Sequence, residues 1–287
     1  MTDEPDTKQT PDTGAQDTSS EPINADNKLD LAMWGIAEAG KTVLMVQLYL
    51  ATRSRQQGPW SIFPDKEAEP YMDKLRNILE RERRFPPPTL RESAVPIVYH
   101  FQHRQDGRRA QLKLVDRAGA LWEEFKNDPE LIGQLAKAHG LALLVDPFKD
   151  PQINLHRIED TLLALVHARE NIVGDPRPIA ICLTKADAWI RDWKELVQAR
   201  DDPDAYARER LDILHPHSSI LQLLLDHCSN IRFFPVSSVG THAAFGYMKP
   251  AAYLDDKLQG RILPGGQPLN IIEPFLWLIE QAGVKNE

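Results

Sequence analysis

Cysteine is scarce in this chain of 287 residues: Cys182 and Cys228 stand far apart and form neither a C-x-x-C pair nor a disulfide framework. That usage suits a reducing compartment, and the cytoplasm is the expected location. Long apolar runs are also missing, and none free of charge approaches the roughly 20 residues that a bilayer-spanning helix needs. The N-terminus lacks the basic and apolar segments of a secretory leader. Positive charge is in deficit, with a formal net charge of -8, which argues against a general binder of nucleic-acid backbones. The clusters Arg81, Arg83, Arg84 and Arg104, Arg108, Arg109 read as solvated faces. His215 and His217 resemble a pair of metal ligands, but no third ligand lies near them in sequence. Met1 to Asn27 contains no aromatic residue and few aliphatic ones, so it cannot offset the entropy of ordering and is expected to be a disordered tail.

The remaining residues, 28–287, read as one domain. With 42% apolar residues overall, the chain can bury a large core. Strand patterns at 29–34, 95–103, 110–115, 141–145, 179–183 and 231–236 alternate with helical patterns at 41–53, 66–84, 153–170, 188–199, 207–226 and 271–282. Such alternation predicts an α/β fold, a mostly parallel central sheet with helices on both faces. Residues 55–94, with a charged helix at Asp65 to Arg84, and the Gly- and Pro-bearing residues 240–269 read as insertions. They are expected to offer partner surfaces.

Between the first strand and first helix stands Gly35-Ile36-Ala37-Glu38-Ala39-Gly40-Lys41-Thr42, a complete G-x-x-x-x-G-K-T phosphate-binding loop. Gly35 and Gly40 let the backbone curl so that amides from Glu38 to Val43 point at phosphates, and the helix that follows adds its positive end. Lys41 supplies a point charge to the β- and γ-phosphates, and the Thr42 hydroxyl is a Mg²⁺ ligand. Glu38 is expected to face outward, because an inward carboxylate would meet the triphosphate.

Three later strand ends carry further polar signals. Leu112-Lys113-Leu114-Val115-Asp116-Arg117-Ala118-Gly119 ends in D-x-x-G; Asp116 can hold Mg²⁺ through a water, and Gly119 can bring its amide to a γ-phosphate. Ile179 to Leu183 leads into Thr184-Lys185-Ala186-Asp187. A carboxylate at Asp187 can accept from the N1–H and N2–H₂ edge of guanine, whereas adenine offers an acceptor at N1 and leaves the charge unpaired. Lys185 would lie along the base plane, and Thr184 stands where the commoner guanine signature has Asn. Arg232 to Val236 opens into Ser237-Ser238-Val239-Gly240, small residues that suit a loop offering an amide to guanine O6.

The ordered set GIAEAGKT, DRAG, TKAD and VSSV resembles the G-motifs of the Ras-like, translation-factor-related P-loop GTPases, over most of Leu29 to Val239. Residues 268–279 and the prolines ahead of Thr89 look like bacterial double-GTPase proteins, encoded beside effector modules. The resemblance implies GTP/GDP as ligand, Mg²⁺ as cofactor and a small-GTPase-like G domain. It also implies a first-switch threonine that closes over Mg²⁺ and the γ-phosphate. The candidate is Thr89, with Ser93 as fallback; Lys41, Thr89 and Gly119 would then form the catalytic set.

Many Ras-like enzymes place a water-orienting glutamine directly after D-x-x-G, and here that residue is Ala120. Glu123 and Glu124, or Arg84 and Arg117, could approach the γ-phosphate, although surface positions explain all four. The expectation is a GTP-binding regulatory switch with slow Mg²⁺-dependent hydrolysis, stimulated by a protein partner or by self-association. Its GTP state would present the first switch and the Trp122 region to an effector. A P-loop ATPase or kinase without guanine specificity, and a non-hydrolysing nucleotide-binding scaffold, are the alternatives.

Overall fold

Strands that bury both faces and helices that bury one stripe alternate along the chain. The computed structural model describes residues 28–35, 38–53, 58–87, 97–114, 129–148, 160, 164, 176–214, 228–257 and 259–283. Their order is β1 (Lys28–Gly35), α1 (Lys41–Arg53), β2 (Trp60–Pro64), α2 (Glu69–Glu80), β3 (Val98–His103), β4 (Arg109–Leu114), α3 (Pro129–Lys137), β5 (Gly140–Val145) and β6 (Ile179–Leu183). A 3₁₀ turn at Ala186–Ala188 precedes α4 (Trp193–Asp201), α5 (Pro203–Leu214), β7 (Ile231–Pro235) and β8 (Ser237–Ala244). The short strands β9 (Tyr247–Pro250), β10 (Ala252–Leu254), β11 (Gly260–Ile262) and β12 (Gln267–Leu269) lead to α6 (Glu273–Gly283).

The main sheet has seven strands in the order β2-β3-β4-β1-β5-β6-β7. The run from β4 through β1, β5 and β6 to β7 is parallel, and β2 and β3 add an antiparallel edge. Side-chain alternation divides the core. Leu31 and Met33 of β1 point to one face, with Ala142, Leu144 and Cys182, where α1, α2 and α6 cover them. Ala32 and Trp34 point to the other, with Leu143, Ile181 and Leu183, beneath α3, α4 and α5. This is the expected α/β architecture of a mostly parallel sheet with helices on both faces.

Several boundaries differ from the sequence patterns, each for a local reason. The helix expected over 66–84 is α2, which starts later, with Pro70 in its first turn, and buries Met72, Leu75 and Leu79 on one stripe. Instead of one helix over 188–199, the chain makes the 3₁₀ turn and restarts at Trp193. There Asp192 caps the new helix by accepting from the Glu195 amide at 2.8 Å. The helix expected to begin at 207 begins at Pro203, where Asp202 accepts from the Ala205 amide at 3.2 Å and proline takes the first helical position. Residues 215–226 of that pattern, and the helix expected over 153–170 apart from residues 160 and 164, lie outside the described residues.

Three features were not expected. Strand β2 pairs antiparallel with β3 from Trp60↔His103 to Pro64↔Tyr99. Helix α3 is closed by Arg177, whose guanidinium donates to the carbonyls of Leu135 at 2.7 Å and Ala138 at 2.9 Å. The Gly- and Pro-bearing residues 240–269 form strands: β8 pairs with β9 and β12, and β10 with β11.

This small-strand unit is locked at both ends. Gly240 adopts φ +75, and a Cβ there would lie 1.9 Å from the Gln267 carbonyl oxygen. The Gly240 carbonyl accepts from Ala251 at 2.9 Å, the Ala251 carbonyl from Leu263 at 2.8 Å, and the Ile262 amide donates to Arg83 at 2.9 Å. The unit therefore reaches from the end of β7 to the segment ahead of the proline run. Gly240→Ala cannot keep this packing and is expected to lower the thermal midpoint by about 5 °C or more, read by differential scanning calorimetry; an unchanged midpoint would contradict the tight approach.

Candidate nucleotide-binding site

Strand β1 lies between β4 and β5, so the loop that leaves Gly35 emerges at the centre of the sheet's carboxyl edge. Gly35 pairs with Leu144 of β5, and a Cβ on it would lie 2.8 Å from the Leu144 carbonyl oxygen and 2.9 Å from its Cβ. Close strand approach thus adds to the backbone freedom that the loop motif requires. Gly40 adopts φ +85 and the exposed Glu38 φ +66, which wraps the chain before α1 begins. Ala39 is buried beneath the loop.

The first helical bond runs from the Leu44 amide to the Gly40 carbonyl at 2.9 Å. Lys41, Thr42 and Val43 fall in the turn whose amides have no acceptor within a helix, and α1 has no acidic residue in that turn. The positive end of its dipole therefore meets no counter-charge from its own first turn. Lys41 is buried and donates from Nζ to the Gly35 carbonyl at 2.7 Å, which stretches its side chain back across the loop. Thr42 is half-buried in the same turn.

The end of β6 builds a second polar cluster in the next crevice. Thr184 is buried, with its amide 2.8 Å and its hydroxyl 3.0 Å from the Val145 carbonyl. It clips β6 to β5, and this donation occupies the hydroxyl that stands in place of the commoner Asn. Lys185 adopts φ +59, the left-handed region, and its ammonium pairs with Asp146. The Ala186 amide returns to the Val236 carbonyl at 3.0 Å, which fixes the 3₁₀ turn carrying Asp187.

Asp187 is 6% exposed. Ser237 donates its hydroxyl to Asp187 Oδ1 at 2.5 Å and accepts the Gly240 amide at 2.8 Å. Ser238 is half-buried beside it. Desolvation raises the Asp187 carboxyl above the ordinary value of 3.8, against the lowering influence of the Ser237 hydrogen bond and the Lys185 charge. A carboxylate whose charged form is under-compensated is a ready acceptor for ligand donors.

The structure therefore gathers Gly35, Glu38, Ala39, Gly40, Lys41, Thr42 and Val43 at the β1 exit. It places Thr184, Lys185, Asp187, Ser237 and Ser238 at the β6 and β7 exits of the same edge. Thr89, Ser93, Asp116, Gly119, Ala120 and Trp122 lie outside the described residues, as do His215 and His217. Sequence reading missed Asp146 and Phe148. The Asp-Pro step that ends the apolar β5 run was their signal, and its register opposite Thr184 appears only once β5 and β6 are paired. Phe148 meets Trp189 edge-on at 5.8 Å, joining the β5 exit to the Asp187 turn.

The chain matches the family model for Double-GTPase 2 over residues 31–243. It belongs to the Double-GTPase 2 family. The matched span includes both crevice clusters, and membership together with the motif order supports GTP binding by this chain. No curated protein matches it. Among solved structures, it is similar to the Arl6 BBS3 small GTPase from Trypanosoma brucei with bound GppNp, at 16% identity and TM-score 0.41, covering 90% of this chain and 99% of that one. It is also similar to a GTP-binding protein from Sulfolobus solfataricus in complex with GDP, at 13% identity and TM-score 0.36, covering 73% of this chain and 47% of that one. The match thus spans less than half the length of the Sulfolobus protein. No helix among the described residues is long and apolar enough to cross a membrane.

The Asp187 environment sets a pH dependence for this Double-GTPase 2 site. The folded protein holds the Asp187 proton more tightly than the unfolded chain. Its contribution to stability is therefore present below the ordinary carboxylate value and is lost as pH rises through the raised one. A ligand edge that presents two donors would bind the other way, because only the ionised carboxylate can accept both. GDP affinity should fall about tenfold per pH unit below the raised value, and Asp187→Asn should remove that step. Calorimetric titration of both proteins between mildly acid and neutral pH checks this; identical pH profiles would contradict it.

Proposed function

We propose that this chain is a guanine-nucleotide-dependent switch that hydrolyses GTP slowly with Mg²⁺. The observation that carries the reading is the buried Ser237–Asp187 pair, held on the same sheet edge as the P-loop turn of α1. Asp187 reads the N1–H and N2–H₂ edge of guanine, Lys185 lies against the base, and the loop from Gly35 to Val43 takes the phosphates. Lys41 exchanges the Gly35 carbonyl for the β- and γ-phosphate oxygens. Adenine meets Asp187 with an acceptor, so ATP binds with the carboxylate unpaired and is rejected.

The proposed donors for the cation are the hydroxyls of Thr42 and Thr89 and the carboxylate of Asp116. All are oxygens, which suits a hard cation such as Mg²⁺. When bound there, Mg²⁺ neutralises charge on the phosphates. Thr42 supports this role by its place in the first turn of α1.

Gly119 offers its amide to the γ-phosphate, and contacts present only with GTP supply the difference between the two states. Ala120 gives no group to orient water, which supports slow turnover by the isolated protein and stimulation by a protein partner or by self-association. Residues 28–287 act as one G domain whose insertions flank the nucleotide. The β8–β9 hairpin carries Phe245, 100% exposed, and this supports a partner-facing role for residues 240–269. We place the protein in the cytoplasm of a bacterium, following its cysteine usage and its sequence resemblance.

Titration with GTP, GDP and ATP in the presence of Mg²⁺, on wild type and Asp187→Ala, tests the reading. Guanine nucleotides should bind at least about a hundredfold more tightly than ATP, and the variant should lose that preference. Equal ATP binding, unaffected by the variant, would replace this reading with a P-loop ATPase. Single-turnover hydrolysis by demonstrably monomeric protein should stay below about 1 s⁻¹, and a faster rate would contradict dependence on a partner.

A further inference from the structure

Asp146 is absent from the sequence motifs, yet it is 1% exposed, the most deeply buried charged side chain among the described residues. It follows β5 where Val145 pairs with Leu183, which puts it beside the start of the Thr184–Asp187 turn. One carboxylate oxygen accepts the Phe148 amide at 3.0 Å, and the other pairs with the Lys185 ammonium. A carboxylate so far from water is unfavourable without partners, and here its charge partner comes from the neighbouring strand.

Lys185 reaches it from a strained position. Its φ of +59 is unfavourable for a non-glycine residue, and such a conformation persists where surrounding contacts impose it. The Thr184 and Ala186 amides are fixed on either side, to Val145 and Val236, and the ion pair fixes the side chain. That side chain remains 49% exposed. Its stem is therefore strung between the ends of β6 and β5, with one flank open. The hydrogen-bonded pairing is with Asp146, while Asp187, the carboxylate that the base must reach, feels the Lys185 charge only as a coulombic influence.

We propose that Asp146 is a positioning residue for nucleotide binding, whose carboxylate holds the Lys185 stem against the face of the base that Asp187 reads at its edge. The proposal rests on the guanine-binding reading of this site. A lysine already clamped loses little rotamer freedom when a base packs on it, whereas a loose one loses much. Asp146 touches no part of the nucleotide and acts through Lys185.

A thermodynamic cycle on the full chain tests this, with GDP, ADP and inorganic tripolyphosphate as probes of wild type, Asp146→Asn, Lys185→Met and the double variant. Asparagine keeps the acceptor for the Phe148 amide and removes the charge. Asp146→Asn should weaken GDP about three- to tenfold, leave tripolyphosphate unchanged, and have no further effect once Lys185 is Met. An equal loss in the Lys185→Met background, a parallel loss of tripolyphosphate binding, or unchanged GDP affinity would overturn it. If the asparagine variant does not fold, Asp146→Glu, which displaces the charge by one methylene, takes its place with the same expected and contrary results. Failure of the underlying reading looks different. Wild type would then bind ADP as tightly as GDP, and the coupling between Asp146 and Lys185 would still be read with ADP, whose purine face meets the same stem.

Discussion

A desolvated carboxylate organises this molecule. Asp187 is buried where its ionised form is under-compensated, and its surroundings hold it there without neutralising it. Ser237 gives it one hydrogen bond and is itself held by the Gly240 amide. Lys185, the cation nearest in sequence, is drawn to Asp146 instead. Burial of this kind costs folding free energy, and donors on a ligand recover it on binding. A site that depends on such recovery discriminates strongly between a base that donates and one that accepts.

The backbone constraints follow from keeping that carboxylate in register with the phosphate-binding loop. Gly35 allows β1 and β5 to approach, which sets the β1 exit one strand away from Asp146 and two from the Asp187 turn. Gly240 allows β12 to lie against β8, and this packing steadies Ser237. From there a chain of backbone hydrogen bonds through Ala251, Leu263 and Ile262 reaches Arg83. The same small-strand unit therefore borders the Asp187–Ser237 pair at one end and the segment leading to the prolines at the other.

The central sheet was legible because its buried strands are continuous apolar runs, and the turns at Gly40–Thr42 and Thr184–Asp187 stand out because each follows such a run. What escaped sequence reading were features decided by capping or by pairing. Asp192 and Asp202 start helices where hydrophobic periodicity alone suggests different boundaries. Strand β2 follows Gly58-Pro59, ends on Pro64 and is recognisable through its pairing with β3. Strands β9 to β12 are only three or four residues long and largely exposed or half-buried, so neither period nor apolarity marks them. Asp146 reads as the end of a strand until β6 is laid beside it.

A crystal structure of the full chain with GDP and Mg²⁺ tests the central claim most directly. The account predicts phosphates on the amides between Gly40 and Val43, the guanine edge within hydrogen-bond distance of both Asp187 oxygens, and the base face on the Lys185 stem. A nucleotide seated on the P-loop with its base turned away from Asp187 would contradict it.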